Sequence, residues 1–241
     1  NVQIEANRKK LTVFFSDIKD FTELTDRLEP EVLSSLLNSY LNEMSKIALK
    51  YGGTIDKFVG DAILIFFGDP ETNGEKADAT SCVLMALEMR ERMKFMRQIW
   101  EDEGISKPLN IRIGINTGYC NVGNFGSEDR LDYTIIGGEV NLASRLESNA
   151  SVGQILVSHE TYSLIKNSIT CEEREEINVK GLAHKVRTYQ VIDKKEKNEK
   201  GVTKLKDAYE GFSLSIDLEI SRKSEVIASL KNALAKVQEN S

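Results

Sequence analysis

The chain has 241 residues and a formal net charge of −6, with 40% hydrophobic and 29% charged residues, the balance of a soluble globular protein with one good core. The acidic excess gives no reason to expect nucleic-acid binding, and the longest apolar run, residues 62–67, is far short of a membrane span. Cys82, Cys120 and Cys171 are widely spaced and include no Cys-x-x-Cys pair, which points to reduced thiols in a cytoplasmic compartment and away from a zinc cluster. His159 and His184 are the only histidines, so histidine-based catalysis has little material.

Residues 1–10 read as a connector from an upstream sensor, in keeping with a chain that starts at Asn1 without a signal-peptide pattern. Residues 11–15 form a buried strand. Pro30 opens a long helix at a position where proline is tolerated, and Gly52-Gly53 ends it. Two apolar β runs, Thr54–Val59 and Ala62–Phe67, are split by Gly60-Asp61, a hairpin signal. A second helix covers about 77–100. Strands follow at 111–116 and 119–122, then a Gly-rich stretch at 123–126 and a strand at 133–136. A helix at 141–148 and strands at 155–158 and 188–192 complete the domain, 11–193. Strands and helices alternate with hairpins included, so the fold class is α+β: a ferredoxin-like-derived mixed sheet with helices packed on one face. Residues 194–207 are a charged linker. Residues 208–241 alternate at Phe212, Leu214, Ile216, Leu218 and Ile220, then take helical spacing at Val226, Ile227, Leu230, Leu234 and Val237, a strand–helix extension.

Two aspartates framed by apolar β-type residues are the chemically loaded positions. Asp17 follows a strand, and Asp61 sits in a tight hairpin. Hard cations take oxygen ligands, usually one or two carboxylates plus substrate phosphates. Taken singly, Asp17 also suits a helix cap and Asp61 a turn.

The motifs Phe15-Ser-Asp17-Ile-Lys-Asp-Phe-Thr22, Lys57-Phe-Val-Gly-Asp61, Ile111-Arg112-Ile-Gly-Ile-Asn-Thr-Gly118, Thr134-Ile-Ile-Gly-Gly-Glu-Val-Asn141-Leu-Ala-Ser-Arg145 and Ile177-Asn-Val-Lys180-Gly together resemble the catalytic domain of the class III nucleotidyl cyclases, over about 8–192. The resemblance implies conversion of ATP to cyclic AMP and pyrophosphate in intracellular signalling. Phosphoryl transfer leaves the protein positioning and charge stabilisation. It implies two Mg²⁺ (or Mn²⁺) ions per site, held by Asp17, Asp61 and the backbone carbonyl of Ile18. Lys57 and Thr134 resemble the base-selecting pair: an ammonium only donates, which suits adenine N1, and a hydroxyl can accept from N6. Asn141 would orient the ribose and Arg145 stabilise the transferring phosphate, while Arg112 and Lys180 match triphosphate contacts. Thr134 replaces a commoner aspartate and resembles a subgroup with bicarbonate as a regulator. Asp20, Asp56 and Glu139 are taken as structural. Both halves of the family's composite site are present, which implies a homodimer. A catalytically silent nucleotide-binding module, a guanylyl cyclase and a diguanylate-synthesising domain are the alternatives.

Overall fold

The computed structural model describes residues 6–102, 104–105, 109–127, 130–179, 185–195, 204–209, 212–217 and 223–239. In chain order the elements are β1 (Ala6–Ile18), α1 (Phe21–Thr25), α2 (Pro30–Lys50), β2 (Thr54–Val59), β3 (Ala62–Phe67), α3 (Glu75–Asp102), β4 (Ile111–Ser127), β5 (Arg130–Ile136), α4 (Gly138–Asn149), β6 (Ile155–Ser158), α5 (His159–Ile165), β7 (Ile169–Ile177), β8 (Val186–Lys194), β9 (Lys204–Tyr209), β10 (Phe212–Asp217) and α6 (Lys223–Glu239). They fall into two compact units, Asn1–Lys195 and Glu196–Ser241. Among the described residues no helix is long and apolar enough to cross a membrane.

The first unit holds a mixed sheet in the order β2-β3-β1-β4-β6-β8-β7, with β5 paired to β4. Only β4 and β6 run parallel; the other pairs are antiparallel. Side chains alternate between the faces of a strand, and the sheet separates two sets of them. Phe14, Ile18, Ile63, Ile65, Ile111, Ile113 and Ile115 pack with Tyr40 and Met44 of α2 and with Met85 and Met89 of α3. Leu11, Val13, Leu64, Phe66 and Val122 pack on the other side with Ala143 of α4. The two long helices thus share one face as expected, and α4 adds a layer on the other.

Several boundaries differ from the sequence expectation. The first strand begins at Ala6, so part of the expected connector is paired: Ala6 lies opposite Gly123 and Lys9 opposite Cys120. The strands expected at 111–116 and 119–122 are one 17-residue strand, β4. Its glycines do not break it. A Cβ at Gly118 would come within 2.5 Å of the Glu139 carboxyl carbon, so that glycine leaves room for the Glu139 side chain. Residues 204–207, expected as linker, belong to β9, which pairs with β10 as a hairpin. In the second unit, α6 leaves Ile227, Leu230 and Leu234 exposed.

The elements nearest the chemistry start as the local sequence dictates. Pro30 is at the first turn of α2. Gly60 adopts φ +64° in the β2–β3 turn, a left-handed conformation open to glycine. That tight turn presents Asp61 beside the end of β1.

Candidate active site

Asp17 is the penultimate residue of β1 and stands opposite Arg112 of β4 in register. Asp61 reaches from the β2–β3 turn, and its Oδ2 accepts the Ile18 backbone N–H at 3.0 Å. A carboxylate from the end of β1 and one from the β2–β3 turn therefore meet at the end of the sheet. Burial, then the adjacent Asp17 carboxylate, push the Asp61 carboxyl up to about 7, as expected for like charges sharing a site. Beneath them the buried Tyr40 hydroxyl lies 3.4 Å from Ser16 Oγ, and burial pushes the phenol far above its ordinary range. Two apposed carboxylates are a pair that a divalent cation neutralises, and the residues fit such an ion. Among the described residues no third carboxylate, histidine or cysteine joins them; backbone carbonyls such as that of Ile18, and ligand oxygens, would complete the shell.

Arg112 is committed within the chain. Its guanidinium lies 2.8 Å from Glu147 Oε1 and 3.4 Å from Asp17 Oδ2, and Nη1 reaches the Ser148 carbonyl at 3.4 Å. Ile111 and Ile113 on either side are buried in the opposite face. Glu147, on α4, is 3% exposed; burial pushes its carboxyl up against the pull of Arg112. This glutamate had no sequence signal beyond its place on the inner side of a helix.

Lys57 and Thr134 come together on one carboxylate, that of Asp56. A bulge between Ile55 and Lys57 in the β2–β3 pairing makes Asp56 the extra residue. The Asp56 side chain is 1% exposed, with Lys57 Nζ 3.7 Å from Oδ1. Thr134, on β5, donates its hydroxyl to Asp56 Oδ2 at 2.7 Å. The preceding residue, Tyr133, donates to Asp69, which also pairs with Lys9, so β5 is tied to the end of β3 as well.

Asn141 and Arg145 are one turn apart on the exposed side of α4. The helix is held on β4 by Asn116, whose Nδ2 donates to the Glu139 carbonyl at 3.1 Å and to its carboxylate at 2.6 Å. The structure thus assembles two clusters, Asp17–Ile18–Asp61 with Arg112, and Lys57–Thr134 with Asp56; Asn141 and Arg145 sit apart on α4. Lys180 lies outside the described residues.

A mixed sheet carries a carboxylate pair at its end and a separate lysine–threonine cluster on β2 and β5, an arrangement suited to a ligand with both phosphates and a polar base. Residues 4–193 match the adenylate and guanylate cyclase catalytic domain, and the chain belongs to this family. It is 35% identical over 208 residues to the terminal-differentiation-specific adenylate cyclase of Dictyostelium discoideum, covering 84% of this chain and 9% of that protein. The fold matches the adenylyl cyclase CyaB from P. aeruginosa with a TM-score of 0.77 and 65% identity, over 79% of this chain and 97% of that one. It also matches the guanylate cyclase domain of RhGC from Catenaria anguillulae, solved in complex with GTP, with a TM-score of 0.71 and 32% identity, over 79% and 100%. The chain spans only 9%, 28% and 38% of three curated cyclases it matches.

Proposed function

We propose that this domain is an adenylyl cyclase that converts ATP to 3′,5′-cyclic AMP and pyrophosphate. The observation that carries the reading is the convergence of Lys57 and Thr134 on Asp56. It sets an obligate donor beside a hydroxyl, the pair that suits adenine N1 and its 6-amino group. In the reaction the ribose 3′-oxygen forms a bond to the α-phosphorus as the bond to the β-phosphate oxygen breaks. The 3′-proton passes to solvent and pyrophosphate leaves.

Asp17 and Asp61, with the Ile18 carbonyl, would hold two Mg²⁺ or Mn²⁺ ions; bound there, such ions lower the pKa of the attacking hydroxyl and offset triphosphate charge. Asn141 orients the ribose and Arg145 meets charge developing on the transferring phosphate. Lys180 binds the triphosphate. Arg112 joins it by exchanging part of its pairing with Asp17 for a phosphate oxygen. Metal-holding and base-reading clusters are built separately within one chain, which supports composite sites in a homodimer. Exposed Phe58, Val59 and Ile136 near the base-reading strands supply apolar surface for that contact. Bicarbonate as a regulator, an upstream sensor and a cytoplasmic setting belong to the same reading. Equal rates in bicarbonate and chloride at fixed pH would remove the first.

The test is turnover of purified chain with ATP or GTP, plus Mg²⁺ or Mn²⁺, beside Asp61→Ala. Metal-dependent cyclic AMP that vanishes in the variant is the expected result. Cyclic GMP as the main product, or no product from a demonstrated dimer, would overturn it.

A further inference from the structure

Asp56 has a structural place by sequence alone, but its surroundings give it more to do. Its side chain is 1% exposed, and a buried carboxylate needs partners for both oxygens. Oδ2 takes the Thr134 hydroxyl at 2.7 Å, a favourable O–H···O distance. Oδ1 faces the Lys57 ammonium at 3.7 Å. Both groups that read the base are therefore held by this one residue.

A carboxylate accepts and does not donate, whereas a hydroxyl has one proton and two lone pairs. The Thr134 proton is thus directed into Asp56, and towards any ligand the hydroxyl presents lone pairs only. A hydroxyl free to rotate would serve a donor or an acceptor equally well. Adenine offers an amino donor at position 6; guanine offers a carbonyl acceptor there. Thr134 held by Asp56 matches the first and opposes the second lone pair to lone pair.

We infer that Asp56 sets the hydrogen-bond polarity of Thr134, and so is a specificity-determining positioning residue that favours adenine over guanine. This rests on the reading of Lys57 and Thr134 as the base-recognising pair. The bulge at Asp56 and the tie between Tyr133 and Asp69 fix the two strands on which the groups stand. The rotation of the hydroxyl is the freedom that Asp56 removes.

Asp56→Asn is the sharpest test. Lys57 repels an amide NH₂, so the asparagine oxygen stays on the lysine side and its NH₂ faces Thr134. The NH₂ then donates to the threonine oxygen, and the hydroxyl proton turns towards the ligand. Asp56→Leu removes both interactions and leaves the hydroxyl free. For each variant, kcat/KM is measured for ATP and GTP. Equilibrium Kd values for both nucleotides, by competition with a fluorescent analogue, need no turnover. Asp56→Asn is expected to lower the ATP:GTP ratio about tenfold or more, within the range that buried polar mismatches reach, and Asp56→Leu to lower it less. In a Thr134→Val background, Asp56→Asn should move the ratio by less than about twofold, because no hydroxyl remains to orient.

Equal losses for both nucleotides, or an undiminished effect in the Thr134→Val background, would overturn the inference. So would loss of the fold in Asp56→Asn, since that would assign the residue to stability. Wild-type protein that prefers GTP, or discriminates neither in turnover nor in binding, defeats the base-reading assignment itself. A wild-type preference for ATP that the variants leave untouched defeats the role of Asp56 alone.

Discussion

Gly114 lies within β4, and α4 rests directly on it. A methyl group there would come within 2.2 Å of the Ala143 carbonyl oxygen, 2.2 Å of the Glu147 amide nitrogen and 2.9 Å of the Glu147 Cα. All three are backbone atoms, so no side-chain rotation relieves the overlap. Ordinary non-bonded contacts lie near about 3.5–4.0 Å, so α4 must lift by roughly an ångström. Gly114→Ala gains about 0.4–1 kcal/mol from a less flexible unfolded chain. Against this, overpacking costs about 1–3 kcal/mol, and backbone overlap places this site at the upper end. The net loss is about 2 kcal/mol, which for a domain of this size lowers Tm by about 4–8 °C. The same displacement carries Asn141 and Arg145 with the helix, and an ångström of misplacement can reduce turnover by about a hundredfold. Thermal unfolding followed by circular dichroism, with kcat and KM for ATP, is the assay. A Tm within about a degree of wild type with unchanged kcat would refute the packing of α4 on Gly114 as the constraint that positions those residues.

Two further predictions concern the carboxylates. Because burial and the adjacent Asp17 raise the folded Asp61 carboxyl to about 7, well above an ordinary aspartate, the metal-free domain holds a proton there that the unfolded chain releases. Its stability should therefore fall as pH rises from 4 through 7. Asp61→Asn, compared by Tm in EDTA at pH 5.5 and 8, should be the more stable form at pH 8, with the difference shrinking at pH 5.5; an unchanged difference refutes the raised proton affinity that burial and Asp17 give Asp61. Among the described residues, Glu147→Gln leaves Arg112 with Asp17 as its one carboxylate partner, so the arginine should compete more strongly with metal. The metal concentration for half-maximal activity should rise about three- to tenfold, since pairs with charged groups are worth about 1.5–3 kcal/mol and only part is redirected. Metal titration with an unchanged midpoint would exclude this coupling.

What was legible in the sequence was local. Pro30 at the start of α2 and Gly60-Asp61 in the β2–β3 turn carry their backbone requirements in their own chemistry, and the family motifs nominate Asp17, Asp61, Lys57 and Thr134 for the roles proposed above. The 17-residue length of β4 was not legible. Gly114 and Gly118 resemble breaks; the α4 backbone lying on Gly114 and the Glu139 side chain over Gly118 account for the missing side chains. The exposed, charge-rich β7, with Glu172, Glu173, Arg174, Glu175 and Glu176, has no apolar alternation to announce it. The expectation for Arg112 could not include Glu147, since that pair spans 35 positions of sequence and depends on how α4 docks. Asp56 reads as merely structural in the sequence for the same reason, its partner Thr134 being 78 positions away.

In an unbroken strand Asp56 and Lys57 would point to opposite faces of the sheet. The single extra residue between Ile55 and Lys57 lets neighbours in the chain serve one ligand-facing cluster. Under the proposed base-reading role of Lys57 and Thr134, substrate choice would be encoded partly in spacing, so a protein engineer who copied the lysine and threonine onto a scaffold with a regular hairpin would transplant the letters without the grammar.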